Sequence, residues 1–192
     1  MLVLLLVVEI VVTGFLLSAV TAAYVKSVVT PREWSSRRKF LEVNEFFWSP
    51  NIAIDLSGVV HIAYADFQQR HVRFYYARAD AVTGSVANPV LICEYSVSPM
   101  APSLAVDQEG NAHIAWLDGR ENGTEIYYAK ITARAPSRLF EIRLSSNSTD
   151  CGEPCIAVDF EGNVHVAWHS KKGEVAITPL DYEVFYSKIN KH

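Results

Sequence analysis

Three stretches of the chain repeat at a single spacing, and a chain made of such copies has few ways to fold. SPNIAIDLSGVVHIAY starts at residue 49, APSLAVDQEGNAHIAW at 101 and EPCIAVDFEGNVHVAW at 153, a constant period of 52 residues. Pro50, Pro102 and Pro154 correspond, as do Asp55, Asp107 and Asp159. Gly58, Gly110 and Gly162 come next, then His61, His113 and His165, and an aromatic closes each copy at Tyr64, Trp116 and Trp168. Further on, FYYAR from 74 matches IYYAK from 126 and VFYSK from 184, the last displaced by a six-residue insertion near 171–176. A period of this length marks one supersecondary unit that buries its faces only against its neighbours.

The units read as strands. Short runs rich in Ile, Val, Phe, Tyr and Trp are separated by Gly, Asp, Asn, Ser and Pro, and no segment beyond residue 31 has a helical period. Each unit offers a strand A, a DxxGN turn, a strand B, a loop and a strand C. The linking runs PVLICEY at 89–95 and RLFEIRL at 138–144 supply a strand D. Four antiparallel strands in about 50 residues make one propeller blade. The expected fold is therefore all-β, a partial β-propeller of three four-stranded blades preceded by an N-terminal hydrophobic helix. Strand alternation puts His113 and Ala115 on one face of strand B, with Ile114 and Trp116 on the other. The strand C aromatics Tyr75, Tyr76, Tyr127, Tyr128, Phe185 and Tyr186 give each face a ring for packing.

The strand order is permuted. KFLEV at 39–43 is a leading D strand with no A, B or C before it, and the last ABC unit, ending at Lys188, has no D after it. Three blades are too few for ordinary closure. Two arrangements are open: a homodimer closing a six-bladed ring, each leading strand completing its partner's last blade, or a fragment of a larger propeller protein. The units fall at about 49–100, 101–152 and 153–190.

The front of the chain is different. Residues 1–31 carry only Glu9 and Lys26 as charged groups. Residues 1–30 are long enough to span a bilayer as a helix, and the competing reading is a signal peptide with Ala19, Ala22 and Ala23 near its cleavage site. The basic linker 31–38 and Lys39 bias the downstream domain toward the cytoplasm. Against this, Asn122 and Asn147 begin glycosylation sequons, and Cys151 and Cys155 are spaced for a possible disulfide. The balance favours an extracytoplasmic domain over 39–192, anchored or exported. The net charge of −4 offers no electrostatic reason to bind nucleic acid.

Candidate site residues come from the repeat. His61, His113 and His165 sit one per unit, too far apart to share an ion, so a structural hydrogen bond to the turn aspartates is expected rather than a metal site. Asp55, Asp107 and Asp159 are expected to accept N–H groups of their own turns. Neither a metal nor a cofactor is expected. The polar segment LDGRENGT at 117–124 reads as a B–C loop on one rim. With the insertion it gives a candidate binding rim of Asp118, Arg120, Glu121, Lys171, Lys172 and Asp181. Cys93 reads as a small apolar group in strand D.

The pattern PSLAVDxxGNxHIAW, succeeded by DGRENGxEIYYAK, resembles the repeats of sialidase-like six-bladed β-propellers, proteins with BNR or Asp-box-like repeats. The resemblance covers 39–190. The usual Asp-box, SxDxGxxW, is replaced here by Asp107-x-x-Gly110-Asn111-x-His113. For a sialidase the resemblance implies three arginines on the sugar carboxylate, a Tyr–Glu pair and an acidic Asp. Only Arg120 lies in a conspicuous loop, and no arginine triad maps onto the chain. The expected function is thus a non-catalytic, membrane-associated or exported domain binding protein or glycan. The alternatives are a glycoside hydrolase or lyase completed by dimerisation, drawing on Asp118, Glu121, Glu125 or Asp181, and an inactive fragment.

Overall fold

The chain divides into two compact units, Met1–Arg38 and Lys39–His192. The computed structural model describes residues 50–68, 71–95, 100–121, 123–136, 139–146, 151–171 and 182–191, all in the second unit. The hydrophobic segment, the basic linker, the leading run 39–43, Asn122, Asn147, Lys172 and Asp181 lie outside the described residues. Among those described, no helix is long and apolar enough to cross a membrane.

The unit is all-β and antiparallel. Sheet 1 holds β1 (Asn51–Ile54), β2 (Val59–Gln68), β3 (His71–Asp80) and β4 (Val90–Tyr95) in chain order. Sheet 2 repeats this with β5 (Met100–Val106), β6 (Ala112–Glu121), β7 (Gly123–Ile131) and β8 (Leu139–Arg143). Sheet 3 has β9 (Cys155–Val158), β10 (Val164–Lys171) and β11 (Tyr182–Ile189), with no fourth strand among the described residues. The expected D strands are thus β4 and β8.

The repeat is visible in the pairing. His61 sits opposite Arg78, His113 opposite Lys130 and His165 opposite Lys188. Ala63, Ala115 and Ala167 each face a tyrosine: Tyr76, Tyr128 and Tyr186. The aromatic that ends each copy stacks across the strand pair. Tyr64 lies on Tyr75 at 5.5 Å, Trp116 on Tyr127 at 6.0 Å and Trp168 on Phe185 at 6.0 Å.

The sheets stack face to face through two cores. The first joins Phe74, Tyr76 and Ile92 of sheet 1 to Leu104, Ile114, Trp116 and Tyr127 of sheet 2. The second joins Ala115, Ile126 and Tyr128 of sheet 2 to Ile156, Val164, Val166 and Trp168 of sheet 3. Period-2 alternation produces this division, as expected, sending Ile114 and Trp116 one way and Ala115 the other. The alanines let adjacent sheets approach, and the rings fill the wider space. The first strands touch in chain order, β1 with β5 and β5 with β9. Polar side chains fix that contact one period apart: Leu104 N–H donates to Asn51 Oδ1 at 3.0 Å, and Ile156 N–H to Ser103 Oγ at 3.2 Å.

Each A–B turn is built alike. The glycine N–H donates to the aspartate carbonyl at 3.1, 3.0 and 3.0 Å for Gly58, Gly110 and Gly162. All three glycines have positive φ, +85°, +78° and +86°, a region that side chains disfavour. Gly58 has open space where a Cβ would stand, so alanine there adds backbone strain without a clash. Gly58→Ala should cost roughly 1–2 kcal/mol and lower the thermal midpoint by about 2–8 °C, read by circular dichroism.

Candidate functional site

The turn aspartates hold a chain of polar groups that runs across each sheet. Asp55 Oδ1 accepts the N–H groups of Ser57 and Val59 at 2.9 Å each. Asp107 Oδ1 does the same for Glu109 and Asn111, and Asp159 Oδ1 for Glu161 and Asn163. The other oxygen, Oδ2, meets a histidine Nε2, at 3.3 Å for His61, 3.1 Å for His113 and 3.0 Å for His165. On the far side, the histidine Nδ1 meets a tyrosine hydroxyl: Tyr76 at 2.7 Å, Tyr128 and Tyr186 at 2.8 Å.

The protons can be placed by elimination. An ionised carboxylate only accepts, so Nε2–H donates to it. In a neutral imidazole Nδ1 then accepts, and the tyrosine O–H donates. The structural histidine–aspartate bond agrees with the sequence expectation. The tyrosine as third member goes beyond it, since the pattern alone makes Tyr76, Tyr128 and Tyr186 packing groups. The available signal is the constant fifteen-residue offset from His61 to Tyr76 and from His113 to Tyr128.

The first two relays are dry. His61 and His113 are buried, and burial pushes both imidazoles below their ordinary 6.5 against the opposing pull of Asp55 and Asp107. For Asp55 burial alone would raise the carboxyl, but hydrogen bonds from Ser57, Val59 and His61 outweigh it and bring it to about 2. Burial opposes Asp107 too, and Asn111 and His113 lower it in the same way. Burial also raises the phenols of Tyr76 and Tyr128. A group with this arrangement holds a proton in place and has no solvent-facing reactive atom.

The candidate rim differs from expectation. Residues 117–121 are not a loop: β6 runs through Glu121 and β7 resumes at Gly123. Asp118 is fully buried. Its carboxylate accepts Trp116 Nε1–H at 3.1 Å, Arg120 Nε–H at 3.0 Å and Arg120 Nη2–H at 2.6 Å. Arg120 also donates to Glu141 at 2.7 Å and lies 3.9 Å over the Tyr127 ring. Desolvation opposes the Arg120 charge, but its bonds to Asp118 and Glu141 outweigh that and raise its pKa. Asp118 stays in register opposite Glu125, the register breaks between Asp118 and Glu121, and the Arg120 side chain folds back onto the buried Asp118 carboxylate instead of facing a rim. Glu121 ends β6 and Lys171 ends β10. No described contact joins Lys171 to the Asp118–Arg120 group.

A second buried acid stands across the ladder. Glu125 is opposite Asp118 in the register and is bonded by the Ser145 hydroxyl. Ser145 Oγ in turn accepts Ile126 N–H at 2.8 Å. Cys93, as expected, is buried in the sheet 1–sheet 2 core, and burial pushes its thiol up.

The possible Cys151–Cys155 bridge is not formed: all three thiols are free. Cys151 bridges to Ser170 and Cys155 pairs with Ala167. Ser170 and Ala167 are three residues apart on β10, about 10 Å at strand rise, and point to opposite faces. That exceeds what a disulfide spans. Among the described residues no group of three or more His, Cys, Asp or Glu side chains is placed to hold a metal.

One cleft, of about 230 Å³, opens between sheets 2 and 3, with Lys130, Phe140, Ile189 and Lys191 along it and His113 and Tyr128 at its wall. Phe140 is exposed there.

Fold and site together define an all-β repeat domain whose polar centres are internal braces. No protein-family model matches the chain, and no match to a curated protein was found. Solved structures that are similar in part include two glycoside-acting enzymes by their names. One is an endo-arabinase from Bacteroides thetaiotaomicron VPI-5482, at 14% identity and TM-score 0.45, covering 74% of this chain and 56% of that one. The other is an alpha-L-arabinofuranosidase from Lactobacillus brevis, at 11% identity and TM-score 0.49, covering 72% and 51%. The chain spans about half the length of each.

The relay makes its own hydroxyls testable. Tyr128→Phe strips a buried Nδ1 of its donor and should cost about 1–3 kcal/mol. Tyr186→Phe removes a hydroxyl that is exposed in a single copy of the chain and there should cost less than half as much, both read by urea denaturation at a dilution that keeps the chain a single copy.

Acid should weaken the fold through the same groups. Imidazoles held below 6.5 in the folded state bind protons more readily once unfolded, so stability falls as pH drops through that value. The lowered Asp55 and Asp107 carboxyls add a loss of the same sign below their ordinary 3.8. The urea midpoint should decline from about pH 7.5 to about pH 5. The combined change His61→Gln with His113→Gln should flatten that decline.

Proposed function

We propose that residues 39–192 form three blades of a β-propeller and act as a non-catalytic glycan-binding module, held at a membrane or exported. The carrying observation is how the buried acids are used. Asp118 and Glu125 are opposite each other across adjacent strands, and a glycosidase works with two such acids. Both are buried, one locked to Arg120 and Trp116 and the other bonded by Ser145. Carboxyls turned to partners inside the sheet support a non-catalytic reading over a hydrolytic one.

Binding is better supported at the cleft between sheets 2 and 3. An exposed ring, Phe140, is the cross-strand partner of Lys130 and both line the cleft, the combination of apolar face and donor that sugars use. Its 230 Å³ is below the roughly 300–1,000 Å³ of enclosed small-molecule sites, so it suits the end of a chain more than a whole small ligand. The repeat pattern supports the propeller reading, and the apolar front segment with the sequons at Asn122 and Asn147 supports an extracytoplasmic place.

A glycan array probed with the detergent-solubilised full chain tests this. Retention on a subset of glycans, lost in Phe140→Ala and with no reducing sugar released, is the expected result. No retention on any glycan overturns the binding reading. Sugar release that disappears in Glu125→Gln overturns the non-catalytic one.

A further inference from the structure

Positions one repeat apart meet the same surroundings inside the stack, and at its two ends they do not. On the face that sheet 1 turns to sheet 2, and sheet 2 to sheet 3, Phe74 is 1% exposed and Ile126 0%, but their counterpart Val184 is 82%. Tyr76 and Tyr128 are each 2% exposed, and Tyr186 is 60%. The pairing makes these true equivalents, since Val184, Ile126 and Phe74 each lie two residues before the tyrosine opposite the alanine. The reverse holds on the opposite face. Leu104 is 7% and Ile156 8% exposed, while Ile52 is 62%. One end of the stack thus shows an uncovered front face, and the other an uncovered back face.

We infer that these two faces cover each other between two copies of the chain. What covers a front face inside the molecule is a back face: Leu104, Ile114 and Trp116 lie on Phe74 and Tyr76, and Ile156, Val166 and Trp168 lie on Ile126 and Tyr128. The uncovered front of sheet 3 therefore calls for a back face of the same make, and the chain carries one on sheet 1. Ile52, Ile62 and Tyr64 stand there in the places of Leu104, Ile114 and Trp116. Two such contacts, related by a twofold axis, satisfy all four uncovered faces and close six sheets into a ring. Six lies within the usual four to eight blades of closed propellers, and three does not; ring size is the one point that rests on the propeller reading.

The third relay shows what closure supplies. The Asp159 and His165 side chains are each 33% exposed, whereas those of His61 and His113 are 0% and 2%. The relay that is dry in sheets 1 and 2 is wet in sheet 3 until a partner's sheet 1 lies over Tyr186. β11 also occupies the place that β3 and β7 hold beside β4 and β8.

The contact is head to tail, which gives a test by complementation. Light-scattering mass of the detergent-solubilised full chain should be twice the 21.4 kDa of one copy. Val184→Lys blocks the front of sheet 3 and Ile52→Lys the back of sheet 1. Either alone spoils both contacts and should leave single copies, with circular dichroism unchanged because both sites are exposed. An equimolar mixture retains one unspoiled contact, between the front of the Ile52→Lys copy and the back of the Val184→Lys copy, and should recover the doubled mass. A wild-type monomer, a single variant that stays dimeric, a mixture that stays monomeric, or a wild-type mass beyond two copies would each overturn the proposal. Glycan binding enters none of these readings.

Discussion

Each sheet is organised by one carboxylate that satisfies two demands at once. The turn aspartate quiets the N–H groups exposed where strand A doubles back, and its second oxygen orients the histidine of strand B. The imidazole then passes the bond to the tyrosine of strand C. A turn, strand B and strand C are thereby tied by groups that have no better partner. In the middle sheet this matters most, because both faces are covered and water cannot reach an unpaired nitrogen. Burial holds the histidine neutral, and neutrality is what lets one ring donate at Nε2 and accept at Nδ1.

Charge is handled by a similar rule near the other end of strand B. Asp118 is deeply buried, a costly position for a carboxylate. The indole N–H of Trp116 and the guanidinium of Arg120 meet it in the same strand, and Arg120 extends to Glu141 and the Tyr127 ring. The network braces β6 against β7 and β8. Asp118 Oδ2 accepts three of these hydrogen bonds, two from Arg120 and one from Trp116.

The period of 52 residues makes the strand order, the three turns and the two-sided packing of strand B readable, because alternation and turn chemistry are local. The histidine–aspartate bonds are readable for the same reason, being six residues apart. The tyrosine hydroxyls are not, although they repeat as faithfully. An aromatic in a strand looks like packing until the cross-strand register places its oxygen against a nitrogen. LDGRENGT looks like a loop because its residues are polar, yet β6 runs on through Glu121 with one break in register, and Asp118 and Arg120 neutralise each other within it. The two cysteines are close in number, and strand direction separates them.

By itself the sequence determined that the chain is a threefold repeat of short strands with the same turn in every copy, since spacing, glycine and alternation act within a few residues. Only the tertiary structure decided which equivalent positions are truly equivalent. Tyr76, Tyr128 and Tyr186 are one residue in the repeat, yet two are sealed and one is open. The reason is that burial belongs to the neighbouring sheet and not to the strand: a face is covered only when another sheet lies on it, and no local pattern records whether one does.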